Sequence, residues 1–271
     1  NSNNPFIRIL SMLSYCFSLI FTIPLLYINK PDLVLVQTPP LLSGLVAAFI
    51  SKSIGAKVLL NVSDIWPLTA AELGVMRKES LSFKFFSKIE SLMYKFSDSL
   101  MAQSNETFEY LSKKTNKSVF LYRNLTKPYF NKSKSIISYN SKKKIVYAGL
   151  LGLAQGVFKI CKHINFNKYG IEFHIYGNGV ERSIIESYIY KNPDCNIFLH
   201  LPIGKDEIQN IILNFDATIV PLSKNIYGAF PSKIAMAMAS ALPIFYSGGG
   251  EGYEIVKKFN IGYVSNAGDL V

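Results

Sequence analysis

The sequence predicts an α/β protein built from parallel sheets with helices on both faces. Three observations predict it. Short apolar runs rich in Val, Ile and Leu alternate with longer stretches of helical period along most of the 271 residues, the pattern of strands joined by crossover helices. A polar, basic, patternless stretch, TKPYFNKSKSIISYNSKKK, splits that alternation in two, as a connector between domains would. In the second half, glycine-bearing loops follow one apolar strand after another. In open parallel sheets, ligands sit at such carboxyl-terminal strand ends.

In the first half, DLVLVQ (32–37) reads as a strand and LLSGLVAAFISKSIG (41–55) as a helix closed by Gly55. KVLLNVSD (57–64) is a strand, SFKFFSKIESLMYKFSD (82–98) a helix and SLMAQS (99–104) a short strand. NETFEYLSKKT is a helix capped by Asn105, and SVFLYRN (118–124) a strand. The second half gives strands at KKIVYAG, IEFHIYG (171–177), NIFLHL (196–201), ATIVPL (217–222) and PIFYS (243–247). Helices between and after them start near 155 and 180 and cover KDEIQNIILNF, SKIAMAMASA (232–241) and GYEIVKKF. The expected organisation is a first domain over 1–125, a linker over 126–144 and a second domain over 145–271. Two α/β units joined by one linker are expected to leave a cleft between their sheets.

The chain opens with ILSMLSYCFSLIFTIPLLYI (9–28), a run without charge that is long enough to span a membrane. Pro24 interrupts it, hydroxyls recur at Ser11, Ser14, Ser18 and Thr22, and it leads directly into a strand. A domain helix packed on a sheet is the first expectation; a helix that dips into the bilayer surface and a true span stay open. Arg8 and Lys30 flank the run, which suits attachment to a surface. The start at Asn1 rather than Met reads as a fragment or a processed chain.

Lys and Arg total 29 against 18 Asp and Glu, a net charge of +11. That excess points to an anionic partner, either an acidic membrane surface or a phosphorylated ligand. Nucleic acid is disfavoured, because the basic residues are spread out and no helix-turn-helix, zinc-finger or RNP pattern occurs. The three cysteines are odd in number and far apart, which argues against a disulfide framework or zinc and for a reducing compartment.

The stretch YAGLLGLAQGVF (147–158) carries the chemistry first. Gly149 ends a strand, and Gly152 and Gly156 sit where a turn meets a helix start. Glycines admit close backbone approach and a helix N-terminus carries partial positive charge, so a diphosphate fits. A tight turn explains the same residues equally well, since neither a P-loop nor the dinucleotide fingerprint is present. YGNG (176–179), Leu201–Pro202, the AFPSK start of the next helix and GGGEG (248–252) supply four further loops. Lys233 lies in a first helical turn, against the helix dipole unless an anion shares the site.

The order of these motifs, YAGLLGLAQG, IYGNGVE, the LP loop, PSK-helix-ALP and GGGEG, resembles the carboxyl-terminal half of the family 4 glycosyltransferases of the GT-B fold. The resemblance is nearest to the bacterial enzymes of lipopolysaccharide and capsule synthesis. In the first half QTPP (37–40), NVSDIWPLTAAELG (61–74), SNETFEYL and YRN (122–124) are similar to that subgroup's signatures. The resemblance covers roughly residues 30–270 and implies two Rossmann-like domains facing across a cleft. A nucleotide-sugar donor, most simply a UDP-sugar, would bind the second domain, and a lipid-linked or glycan acceptor mostly the first. It implies that Gly149, Gly152 and Gly156 face the donor diphosphate, with Gln155 adding a polar contact, Ser232 starting the helix and Lys233 giving positive charge. Tyr176, Gly177, Gly179 and Pro202 would border the base, and Glu251 the sugar or diphosphate. Thr38, Pro39, Asp64 and Trp66 would line the acceptor side, with Asp64 and Lys233 the catalytic pair. For Asp64, a helix N-cap carboxylate before Pro67 stays open.

The family's glutamate in the PSK helix, which holds the ribose hydroxyls, corresponds here to Met236; a second acidic position falls on Gly228, and Ala241 replaces a glycine. The N-terminal strand and glycine loop that the family uses near the acceptor are also not visible. No D-x-D triplet occurs, so neither a metal nor another cofactor is expected, and leaving-group charge falls to backbone N–H groups and Lys233. The resemblance implies transfer with retention of configuration, at the inner face of a bacterial membrane. A non-catalytic nucleotide-sugar-binding subunit and a GT-B-like UDP-sugar epimerase stay as alternatives. His163, His174 and His200 read as structural.

Overall fold

The computed structural model describes residues 5–123 and 142–269. The chain divides into two compact units, Asn1–Arg123 with Ile226–Ala229, and Asn124–Asn225 with Phe230–Val271. Most of the expected connector lies outside the described residues. Its last part does not, because a strand already begins at Lys143, inside the range expected for the linker.

The first unit begins with helices α1 (Pro5–Ile20) and α2 (Ile23–Asn29). Pro24 falls in the first turn of α2, where its missing N–H has no intrahelical partner to lose. It therefore opens a second helix after a turn at Phe21–Thr22. The expectation that this run packs on a sheet is corrected: α1 lies against α3 (Leu41–Ser53), and Phe17, Phe21, Leu25 and Ile28 stay exposed. The stretch Leu10–Asn29 is long and apolar enough to cross a membrane by length and composition.

Strands β1 (Leu33–Thr38), β2 (Lys57–Val62), β3 (Ser99–Ala102) and β4 (Ser118–Leu121) follow, all parallel and in sequence order. Between them come α3, then α4 (Leu68–Glu72) with α5 (Leu81–Phe96), then α6 (Asn105–Lys114). Crossovers that share one hand and advance in one direction place their helices on one face. The core obeys this: Val36, Val58, Leu60, Val62, Leu100 and Ala102 pack on Ala48, Ile89, Met93 and Leu111. Leu33 and Leu35, on the other face, are 55% and 62% exposed. The expected cap of α6 is corrected. Ser104, not Asn105, has the extended backbone of an N-cap, and its hydroxyl accepts the Thr107 N–H.

The second unit is doubly wound. Its sheet, all parallel, runs β10 (Gly262–Ser265), β9 (Ile244–Ser247), β8 (Ala217–Pro221), β5 (Lys143–Ala148), β6 (Ile171–Tyr176), β7 (Ile197–His200). Chain order advances from β5 to β7, crosses back, and advances the other way from β8 to β10, so helices cover both faces. Alternate residues of β5 show it: Tyr147 enters the core around α7 (Val157–His163) and α8 (Arg182–Lys191). Val146 enters the opposite core with Ile212 of α9 (Lys205–Ile212) and Leu242, beside the core formed by α10 (Ser232–Ala239) and α11 (Gly250–Lys258). Strand order reverses between β5 and β8, the point at which doubly wound sheets bind ligands. Strand β10 was not expected from the sequence.

Candidate functional site

A cavity of about 580 Å³ opens within the second unit at the carboxyl ends of β5, β6 and β7. The end of β5 gives Ala148, Gly149 and Leu150; the end of β6 gives Tyr176, Gly177 and Asn178; the loop after β7 gives Pro202 and Ile203. Ile208 and Gln209 of α9 and Ser232, Lys233 and Met236 of α10 complete the wall.

Lys233 and Gly149, far apart in sequence, meet here. A Cβ added at Gly149, whose φ is +142°, would lie 2.6 Å from Cε and 2.9 Å from Nζ of Lys233. The ammonium also sits 5.2 Å from the centroid of the Tyr147 ring, a cation–π contact. Tyr147 in turn donates its hydroxyl hydrogen to the Leu150 carbonyl. No carboxylate pairs with Lys233 among the described residues, and burial pulls its pKa below the ordinary lysine value. An unpaired, desolvated cation on a cavity wall is electrostatically incomplete until an anion joins it.

The two glycine loops are locked together by backbone. Gly149 N–H donates to Tyr176 O and Leu151 N–H to Asn178 O, each at 2.9 Å. A Cβ at Gly177 would fall 1.9 Å from Gly149 O, and one at Gly179 2.3 Å from Leu151 O. Gly177 and Gly179 thus have a packing reason to be glycine, and only Gly177 lines the cavity. Leu150 N–H, between the two engaged donors, makes no backbone hydrogen bond among the described residues. Arg182 clamps the loop ends, donating through Nη1 to Gly177 O at 2.7 Å and His200 O at 2.8 Å.

The remaining turn sits apart from the cavity. Gly156 N–H donates to Gly152 O at 3.2 Å, closing a tight turn before α7, and Gly156 has a φ of +62°. Neither Gly152, Gln155 nor Gly156 lines the cavity, and Gln155 Oε1 is buried without a hydrogen bond. Glu251 is buried in the first turn of α11, also off the cavity wall.

Behind Tyr176 runs a stack of rings. Tyr176 lies 4.2 Å from His200, and His200 5.1 Å from His174. His174 Nδ1 and His200 Nε2 are 2.9 Å apart, and His174 Nε2 is 3.3 Å from Glu172 Oε2. Burial lowers both histidine pKa values, so a neutral pair sharing one hydrogen fits. Sequence reasoning saw these histidines as structural; it included Asn178 within the YGNG loop, and it missed Ile203, Ile208, Gln209 and Arg182. The helical spacing of Ile208 and Gln209 carried no sign that α9 turns them toward a cavity.

In the first unit, Asp64 has no side-chain hydrogen bond or ion pair among the described residues, and burial raises its carboxyl pKa. It does not cap α4: the N-cap there is Pro67, with no side-chain cap bond. Thr38 is buried with an unpartnered Oγ1, and Pro39 follows it. Trp66 packs edge-on to Phe86 at 6.0 Å and joins the hydrophobic core. Beside Thr38 and Asp64, Ser63 Oγ accepts from Gln103 Nε2 at 3.1 Å and Gln37 Nε2 at 3.4 Å.

This architecture, two parallel α/β sheet units with a cavity at strand ends, is the GT-B fold of glycosyltransferases. The chain superposes on the lipopolysaccharide outer core galactosyltransferase WaaB in its apo form with a TM-score of 0.61 at 15% identity, covering 99% of this chain and 70% of that one. On Anabaena Alr3699/HepE in complex with UDP the TM-score is 0.70 at 13% identity, covering 93% and 68%. In sequence it is 23% identical over 255 residues to the probable glycosyltransferase WbjE of Pseudomonas aeruginosa, covering 87% of this chain and 62% of that relative's length. No protein-family profile matches it.

Proposed function

We propose that the chain is part of a glycosyltransferase that takes a sugar from a nucleoside diphosphate donor, a UDP-sugar in the simplest case, and passes it to a lipid-linked or glycan acceptor. The observation that carries the reading is Lys233: an unpaired, half-buried ammonium held against Gly149 on the cavity wall. There it would face the diphosphate, with the Leu150 N–H beside it. As the bond to the sugar breaks, charge grows on the departing diphosphate, and a preoriented cation and N–H stabilise that charge most where water is excluded. In this reading transfer proceeds with retention, needs no metal, and uses Asp64 on the acceptor side. Bacterial surface glycan synthesis at the inner membrane face suits the net charge of +11 and the exposed apolar side of α1 and α2. The HepE structure with UDP and the name of WaaB support donor and setting by analogy.

One observation favours a second reading, a nucleotide-sugar-binding subunit without turnover: among the described residues the cavity wall holds Met236 and no carboxylate. Nucleotide release from UDP-sugars in the presence of membrane extracts rich in lipid-linked glycan separates the two. Acceptor-dependent release supports the transferase. Tight UDP binding with no release under any acceptor would leave the subunit.

A further inference from the structure

Resting on the nucleotide reading of the cavity, we infer that its sugar-facing wall selects against a ribose 2′-hydroxyl, so that 2′-deoxynucleoside diphosphate sugars belong to its donor class. In that reading the diphosphate lies at Lys233, whose Nζ stands beside Gly149. The pentose is one ester bond away from it, and must lie against the next part of the wall. On α10 that position is Met236, three residues on from Lys233 and therefore on the same helix face, roughly 5–6 Å away between Cβ atoms. Both line the cavity.

A ribose offers a pair of adjacent hydroxyls, and the strong partner for such a pair is a carboxylate accepting both hydrogens. Among the described residues, those lining this cavity include no Asp or Glu. Asn178 Oδ1 is already engaged by the Gly179 N–H at 2.9 Å. The same wall carries Ile203 and Ile208, with the Gln209 amide as a polar side chain from α9. A thioether beside C2′ has nothing to give a hydroxyl, whereas it packs well on a methylene. A site built to bond a hydroxyl rejects the analogue lacking it by several orders of magnitude; an apolar wall has no such leverage and sets a cost on an unpaired hydroxyl instead. The Gln209 amide on this wall would serve the 3′-hydroxyl, which both nucleotide series keep.

Calorimetric titration with UDP, 2′-deoxy-UDP and dTDP tests this. The expected result is deoxynucleotide binding about two- to tenfold tighter than UDP, with the order reversed in Met236→Glu by about tenfold or more. Met236→Gln, neutral and close in size, should shift the ratio the same way by a smaller factor, which guards against a folding or charge artefact. Deoxynucleotide binding equal to or weaker than UDP in the unmodified protein overturns this inference while leaving the nucleotide reading intact. Binding of none of the three overturns the nucleotide reading itself, and this inference with it.

Discussion

Replacing Lys233 by alanine separates binding from folding, because the two effects run in different directions. In the folded chain the ammonium is removed from water without an anionic partner. Its native pKa is therefore below the unfolded value, and the charged form costs stability at neutral pH. That cost is present below the native pKa and fades as pH rises through the ordinary lysine range. Against it stands the contact with the Tyr147 ring at 5.2 Å, worth about 0.5–2 kcal/mol. The opposing contributions leave the Tm of Lys233→Ala within a few degrees of the parent. Affinity for UDP should respond quite differently. A charge-assisted hydrogen bond contributes about 1.5–3 kcal/mol, so its loss weakens UDP by about 10- to 150-fold at 1.4 kcal/mol per decade. Calorimetry at pH 7.5 and a thermal melt on the same sample read both quantities. Unchanged UDP affinity would refute the placement of the diphosphate, and a collapse of Tm would show Lys233 to be a structural residue.

Other perturbations test neighbouring parts of the account. UDP affinity should hold through neutral pH and fall on the alkaline side at a lower pH than a free lysine titrates, since the charged form is the one that binds and burial lowers its pKa; the fall should vanish in Lys233→Ala. Gly177→Ala places a Cβ 1.9 Å from Gly149 O, backbone that cannot yield cheaply, so stability should drop by about 1–3 kcal/mol or more and UDP binding weaken with it; an unchanged melt would contradict the loop packing. Asp64→Ala should leave UDP affinity and Tm nearly intact, since the carboxylate has no partner to lose and is disfavoured by burial, yet lower acceptor-dependent transfer; transfer at full rate would remove Asp64 from the reaction.

Much of the fold could be read from the sequence because period and punctuation agree there. Val-, Ile- and Leu-rich runs such as KVLLNV and KIVYA can only be buried strands, and Gly55 marks a helix end by its φ of +83°. The failures have physical causes. GYVS at 262–265 is four residues at the edge of a sheet, too short to carry a period. Asn105 and Ser104 are both good caps, and only backbone geometry decides between them. Within the site, YAGLLGLAQG reads as one cradle in sequence but is two structures: Gly149 and Leu150 on the cavity wall, and a closed turn from Gly152 to Gly156 beyond it. The meeting of Gly149 with Lys233, and the aim of Gln209 and Ile208, arise from the crossing back of the chain between β7 and β8. No local pattern encodes such a juxtaposition.

The central claim is that the diphosphate of a nucleotide lies between Lys233 and the Gly149–Leu150 backbone. A crystal structure with UDP bound tests it most directly. The account predicts a phosphate oxygen about 2.7–2.9 Å from Lys233 Nζ, with the Leu150 N–H also donating and the pentose against Met236. UDP seated instead on the Gly152–Gly156 turn, with Lys233 unengaged, would contradict it.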